Sequence, residues 1–378
     1  MKAYVFTDKA LQRHAGQFVW LSLDVEKGQN APYKKKYGID ALPVYFVVDP
    51  KTEKIALRWV GGATVPQLQK ILGDGLTAVK GGGRGVEEVL ARADRSYADA
   101  EYGKAASDYK EALRLAPRNW PRTARATESL LYAQYQTKDW AGCAKTARDA
   151  WPRLRRTSSA ANVAASGLSC ALELPASDAL RADLVKSLAA AAREILATPR
   201  KDIAADDVSA VYETLAAERE AAKDEEGKKE VLRGRAAFLE AAAAKAKTPD
   251  ARAVFDSHRL GTYLDLGEPE RAVPMLRASE RDLPDDYNPP ARLALAYKAM
   301  KKYDEALAAS DRALAKAYGP RKLGILQTRA DIYKEKGDSA AARRTIEEAV
   351  KIAESLPEGQ RSERAIASLK KKLETLPQ

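Results

Sequence analysis

The side chains that most often carry chemistry are few and scattered in this chain. It has two histidines, His14 and His258, and two cysteines, Cys143 and Cys170. Imidazoles so far apart support neither a histidine-built zinc site nor a Ser-His-Asp arrangement. His258 falls on a helical stretch, where packing or solvent contact is the simpler role. The cysteines are too far apart for a C-x-x-C redox pair and read as small core residues. Two cysteines in 378 residues also exclude a scaffold built from disulfides. KGGGRG, residues 80–85, lacks the Lys-Ser or Lys-Thr that completes a phosphate-binding loop. Acidic pairs are common, but on helices this charged they are surface ion pairs first. The residues therefore define no catalytic, metal-ligating or cofactor-binding set, and no cofactor is expected.

One local pattern does suggest a shaped surface. Leu42 and Pro43 stand at the head of Val44–Val48, a nearly all-apolar run. A proline without an N–H belongs at the first residue of a strand or on an edge. An X-Pro bond is also the kind that can be cis, at a cost of only about 0.5–1 kcal/mol. Around this point the first eighty residues parse into alternating elements. Residues 8–14 read as the end of a helix, and FVWLSLDV, residues 18–25, as a buried strand. Asn30 can cap a short helix that Gly38 stops. A turn at Asp49-Pro50-Lys51-Thr52 then joins Val44–Val48 to a return strand, Ile55–Val60. Gly61 and Gly62 break that strand. Thr64 caps a last helix with Pro66 in its first turn and an apolar face of Val65, Leu68, Ile71 and Leu72.

This order resembles the second half of a thioredoxin fold. FVWLSLDVEK is similar to the family's third strand, YKKKYGIDALPVYFVVDP to the segment carrying its cis-proline, and WVGGATVPQLQKIL to its last strand and helix. The resemblance covers about 75 residues, and it implies that Leu42 and Pro43 face the extended backbone of a partner. Val44 stands where the family has Thr. The departure is larger: the family's C-x-x-C dithiol and first two strands are absent, and no cysteine precedes Cys143. The missing second strand is the centre of that sheet. Without it, edges of two strands face each other unpaired, each orphaned backbone group costing roughly 1–3 kcal/mol. The expectation is that the reading frame starts upstream of Met1, that the fragment rearranges, or that another chain supplies the strand.

Beyond residue 86 the chain is alanine-rich and helical, and small residues recur with a period. Tyr102, Ala105, Tyr109, Ala112 and Pro117 set a first unit. Tyr263, Ala272 and Pro284 recur as Tyr297, Ala306 and Ala313, then as Tyr333, Ala342 and Ala349. Each Tyr precedes its Ala by nine, and the tyrosines are spaced by 34 and 36 residues. Gly267 and Gly337 mark turns four residues after their Tyr. The pattern resembles the tetratricopeptide repeat. Two antiparallel helices approach to about 8–10 Å where small residues face each other, and stacked units bury what one unit cannot. A weaker unit places Trp140, Cys143, Ala147 and Ala150 on the same pattern.

The fold class that follows is multidomain, an incomplete thioredoxin-like α/β domain followed by an all-α solenoid of tetratricopeptide type. The domains are expected at 1–79, a glycine-rich linker at 80–86, repeat-like helices at 87–156, irregular helical repeats at 157–250, and repeats with a capping helix at 251–378. The formal charge is +11 with a pI near 9.3, but basic and acidic residues interleave, and the runs at Lys34–Lys36 and Lys370–Lys372 are short. Solvated helix faces explain this better than a nucleic-acid footprint. No apolar run approaches the roughly 18 residues of a membrane span. The start has no secretory h-region, which reads as cytoplasmic; a start further upstream would allow a periplasmic protein. The function expected is that of an interaction scaffold with a redox-inactive module, binding a protein or peptide on the concave face of the repeats. The alternative is a thiol–disulfide oxidoreductase, or disulfide-handling chaperone, with its dithiol upstream. A basic nucleic-acid binder is the third reading.

Overall fold

The computed structural model describes residues 5–39, 42–80, 85–198 and 200–376. Expectations about the first four residues, about Asp40 and Ala41, and about the centre of the glycine-rich linker lie outside them. In chain order, α1 is Ala31–Lys36, β1 Val44–Val48, β2 Ile55–Val60 and α2 Val65–Val79. The repeat helices begin with α3 (Val86–Ala98), α4 (Tyr102–Leu115), α5 (Thr123–Gln136), α6 (Trp140–Leu154), α7 (Ala160–Leu172), α8 (Arg181–Ala197) and α9 (Ala205–Ala221). They continue with α10 (Glu225–Ala244), α11 (Pro249–Ala253), α12 (Asp256–Leu266), α13 (Ala272–Asp282), α14 (Asn288–Ala299) and α15 (Tyr303–Lys316). The last three are α16 (Arg321–Lys336), α17 (Ser339–Ser355) and α18 (Glu363–Glu374). The chain divides into two compact units: Met1–Phe18 with Tyr37–Arg235, and Val19–Lys36 with Ala236–Gln378.

In the first unit, β1 and β2 pair antiparallel from Val44↔Val60 to Val48↔Ile55. The Pro43 carbonyl extends the ladder by accepting from the Gly61 N–H at 2.8 Å, and the Leu42–Pro43 bond is cis. Thr64 starts α2 with a capping box, its amide donating to Gln67 Oε1 at 2.8 Å. Leu68, Ile71 and Leu72 of α2 then bury against Leu57, Trp59 and Val47 of the hairpin.

Two expectations for this region are corrected. The sheet among the described residues has two strands, so the α/β domain implied by the thioredoxin resemblance is not formed there. FVWLSLDV is not a strand. Its pattern suits a buried strand, but a strand needs a neighbour, and the two described strands pair with each other. Val19 and Leu21 are 89% and 76% exposed. From Val19 to Lys36 the chain belongs to the second unit, where Asp24 and Glu26 are bound by Arg321.

Six of the helical hairpins among the described residues share one turn. After the first helix of a pair, a residue enters the left-handed region: Ala100, Lys138 and Lys223 in the first unit, Gly267, Lys301 and Gly337 in the second. The next residue then donates its N–H five residues back. Examples are Glu101 to Ser96, Asp139 to Gln134, Lys302 to Tyr297 and Asp338 to Tyr333, all at 2.8–2.9 Å. These bonds close the orphan carbonyls of the first helix. Glycine enters that region without the roughly 1–2 kcal/mol that a Cβ costs there. Gly337, with φ +91°, therefore gives the sharpest test: Gly337→Ala should lower stability by about 1 kcal/mol, read as an earlier urea midpoint with unchanged slope.

Small residues set the helix spacing, as the repeat pattern requires. Ala105 and Ala112, Ala272, Ala306 and Ala342 are fully buried, as are Tyr109 and Tyr263 to within 1%. Tyr297 is buried too, while Tyr102 and Tyr333 are half-buried. Pro117 is exposed in the turn after α4, where its carbonyl accepts from the Trp120 N–H at 2.9 Å. Cys143 of α6 and Cys170 of α7 are core residues, but they are also bonded to each other, with Cα atoms 6.0 Å apart. Antiparallel packing brings them level. One turn away, a Cβ on Gly167 would stand 2.3 Å from that of Ala147, so the Ala147 methyl of α6 fills the space a side chain on α7 would need.

Candidate interaction surfaces

In each unit the first helices of successive pairs form one layer: α3, α5, α7 and α9 in the first, α12, α14, α16 and α18 in the second. On a solenoid such a layer is the natural receiving face. In the first unit it is covered by the chain's own hairpin. Arg58 of β2, 5% exposed, stacks on Tyr97 of α3 at 3.9 Å from the ring centroid. This is a desolvated cation–π contact, worth on the order of 2 kcal/mol. Asp74 of α2 meets Arg122, at the start of α5, at 3.2 Å.

Behind this contact lies a charged layer around a cavity of about 140 Å³. Arg122 also pairs with Glu87 at 2.6 Å, and the Trp120 indole donates to the same carboxylate at 2.7 Å. Arg125 binds Asp94 at 2.8 Å, and Tyr109 donates its hydroxyl to Asp94 at 2.7 Å. Removing one partner would leave a buried charge uncompensated. Burial pushes the Asp74 carboxyl up, against the pull of Arg122. Further along the layer, Glu128 of α5 accepts from Asn162 of α7 at 3.2 Å. Burial raises its carboxyl to about 7. Burial, with the negative charge of Glu128 next, raises Asp207 of α9 to about 8. None of these groups adjoins a thiol or an imidazole, and the described residues contain no cluster of three or more His, Cys, Asp or Glu fit to hold a metal ion. The chemistry of this face is that of a held interface.

In the second unit the layer carries half-exposed ion pairs between neighbouring first helices. Lys298 of α14 meets Glu335 of α16 at 3.3 Å, and Asp331 of α16 meets Lys372 of α18 at 2.7 Å. Buried Asp256 opens α12; burial lifts its carboxyl, opposed by Ser279 and by the charges of Arg292, Arg259 and Arg252. His258 is half-buried on α12, and His14 is buried beside Phe18. Leu42 is 63% exposed and Pro43 is exposed beside it. Leu42 and Pro43, expected to face a partner's backbone, thus stand in an exposed turn, and of the repeat residues expected to pack, Pro117 is exposed. The sequence reading missed the charged residues of the first-helix layers, whose only local signal is their recurrence on one helix face, as with Arg125, Glu128 and Tyr132.

Residues 287–355, which hold α14 to α17, match the family profile of the tetratricopeptide repeat. The chain thus carries tetratricopeptide repeats within a mostly helical solenoid. No curated protein matches the sequence. Among solved structures, a tetratricopeptide repeat protein from Parabacteroides merdae is 13% identical, covering 78% of this chain and 100% of its own, with a TM-score of 0.45. The TPR2AB domain of yeast Sti1, in complex with pHSP90, is 15% identical over 77% of this chain and 98% of its own, with a TM-score of 0.29. BtubC from P. vanneervenii is 16% identical, covering 74% and 97%, with a TM-score of 0.35. No helix among the described residues is long and apolar enough to cross a membrane.

Proposed function

We propose that the protein is a non-catalytic interaction protein whose second unit receives a segment of a protein partner on its first-helix layer. The observation that carries this is the half-exposed row of Lys298, Glu335, Asp331 and Lys372 on α14, α16 and α18, of which α14 and α16 lie within the tetratricopeptide match. Such repeats present extended binding surfaces, and charges at a rim steer encounter and select partners. The hairpin, α2 and the Leu42–Pro43 turn are what remains of the thioredoxin resemblance. They act as a packing module, since the two cysteines lie in the core between α6 and α7, with no exposure. Capture from a lysate of the source organism tests the reading. A partner held by the wild-type chain should be lost at least about tenfold from Lys298→Glu/Lys372→Glu, because reversing rim charges slows association. Undiminished capture by a folded variant overturns it, as does dithiol-driven reduction of insulin by the wild-type chain.

A further inference from the structure

The second unit holds a short acidic segment of its own chain in a way that defines what the holder recognises. Arg321 opens α16 and faces two carboxylates at once: its Nη2 lies 2.9 Å from Asp24 Oδ2 and its Nε 2.6 Å from Glu26 Oε2. Its guanidinium lies over the rings of Tyr318 and Tyr287, at 4.4 and 5.1 Å from their centroids. Tyr318 also donates its hydroxyl to Asp24. Planar stacking and a fork of donors are what arginine offers and lysine does not. Between the two acids, Val25 points inward and is 6% exposed, and the Gln360 amide donates to its carbonyl at 3.1 Å. Two glycines let the backbone come close. A Cβ on Gly319 would stand 2.5 Å from the Glu26 carbonyl oxygen, and one on Gly359 2.1 Å from that of Ala31.

These contacts read a pattern: acid, apolar residue, acid, in a turn closed by the Lys27 N–H donating to the Asp24 carbonyl at 3.1 Å. Their strength is modest. Asp24 and Glu26 keep 30% of their side-chain exposure, and partly exposed pairs contribute about 1 kcal/mol or less each. The residues just before the motif add little, Val19 and Leu21 being almost fully in solvent. A specific but weakly held occupant is one that can be replaced.

We propose that the Arg321 site is an exchangeable receptor for an Asp-apolar-Glu segment of a partner protein, and that Asp24, Val25 and Glu26 are its tethered occupant. The site lies at the starts of α14 and α16 and in the turns before α16 and α18, and uses none of Lys298, Glu335, Asp331 and Lys372. Its failure therefore leaves the proposed function standing, and the reverse.

A labelled peptide of residues 18–30 tests this by fluorescence polarisation with the full chain. In the wild type the tethered segment competes at an effective concentration on the order of millimolar. Asp24→Arg/Glu26→Arg expels that segment, and this variant should bind the peptide at least about tenfold more tightly than the wild type does. Adding Arg321→Ala should abolish the gain, and so should a peptide with Asn and Gln in place of the two acids. Equal binding by the double variant and the wild type, or no binding by either, overturns the proposal. Should the double variant not fold, the wild-type chain decides. Excess unlabelled peptide should speed amide exchange at Val25 and Glu26; unchanged exchange overturns the proposal equally.

Discussion

Between pH 5 and pH 8 the first unit should lose roughly 2–3 kcal/mol of stability that the Glu128→Gln variant keeps. Glu128 is held at about 7 by burial and Asp207 at about 8 by burial and by Glu128. Both folded values lie above the unfolded ones, so the folded chain keeps protons that the unfolded chain has released. That contribution is complete below the unfolded values, near pH 4, and is lost as pH rises through 7 and 8. For Glu128 alone, the span between about 4.5 and 7 corresponds to about 3 kcal/mol at most, at 1.36 kcal/mol per unit. A glutamine cannot ionise, so it removes this term and also the charge that adds to the effect of burial on Asp207. Four of the five tryptophans, Trp59, Trp120, Trp140 and Trp151, belong to the first unit, and their fluorescence in urea reports on it. A wild-type midpoint that is flat or rises from pH 5 to pH 8 would count against this account.

Replacing the cysteines should have an effect of similar size. The Cys143–Cys170 bridge closes a loop of 27 residues, and the chain-entropy cost it removes from the unfolded state is about 3–4 kcal/mol. Cys143→Ala/Cys170→Ala should therefore unfold about that much more easily in urea. The reason lies almost entirely in the unfolded chain, since both side chains are small and fully buried either way. The unfolded wild-type chain, without reductant, should show no free thiol. Two titrating thiols, or a double variant as stable as the wild type, would show that packing alone holds α6 and α7 together.

How much of this could be read from the residues varies with the kind of signal. The repeats around Tyr263, Tyr297 and Tyr333 were legible because the small residues that let helices approach recur at a fixed offset. Gly267 and Gly337 announced two turns. The same turn at Ala100, Lys138, Lys223 and Lys301 was hidden because ordinary residues occupy the left-handed position there. The hairpin and α2 were legible through Thr64, Pro66 and Gly61, whose roles are local. Residues 18–25 misled for the opposite reason: alternation and β-branching describe a strand's own preference, and a strand exists only with a partner. The cysteine bond and the layer of Asp94, Arg125, Glu128 and Asp207 depend on which helices become neighbours. No window of sequence contains that information. Nor could Leu42 and Pro43 disclose that the first-helix layer of their unit is covered by β2.

The grip of Arg321 on Asp24 has a consequence in time. The two residues are 297 apart in the chain, and synthesis at about 5–20 residues per second separates their appearance by roughly 15–60 seconds. For that interval Val25 and Ala31 have no cover, and the exposed run before them, Val19 to Leu23, is free to meet other nascent chains. Small domains fold far faster than this, so ribosome pace sets when the second unit is finished. Any message truncated before the codon for Arg321 releases a chain in which Asp24 and Glu26 have no arginine to hold them.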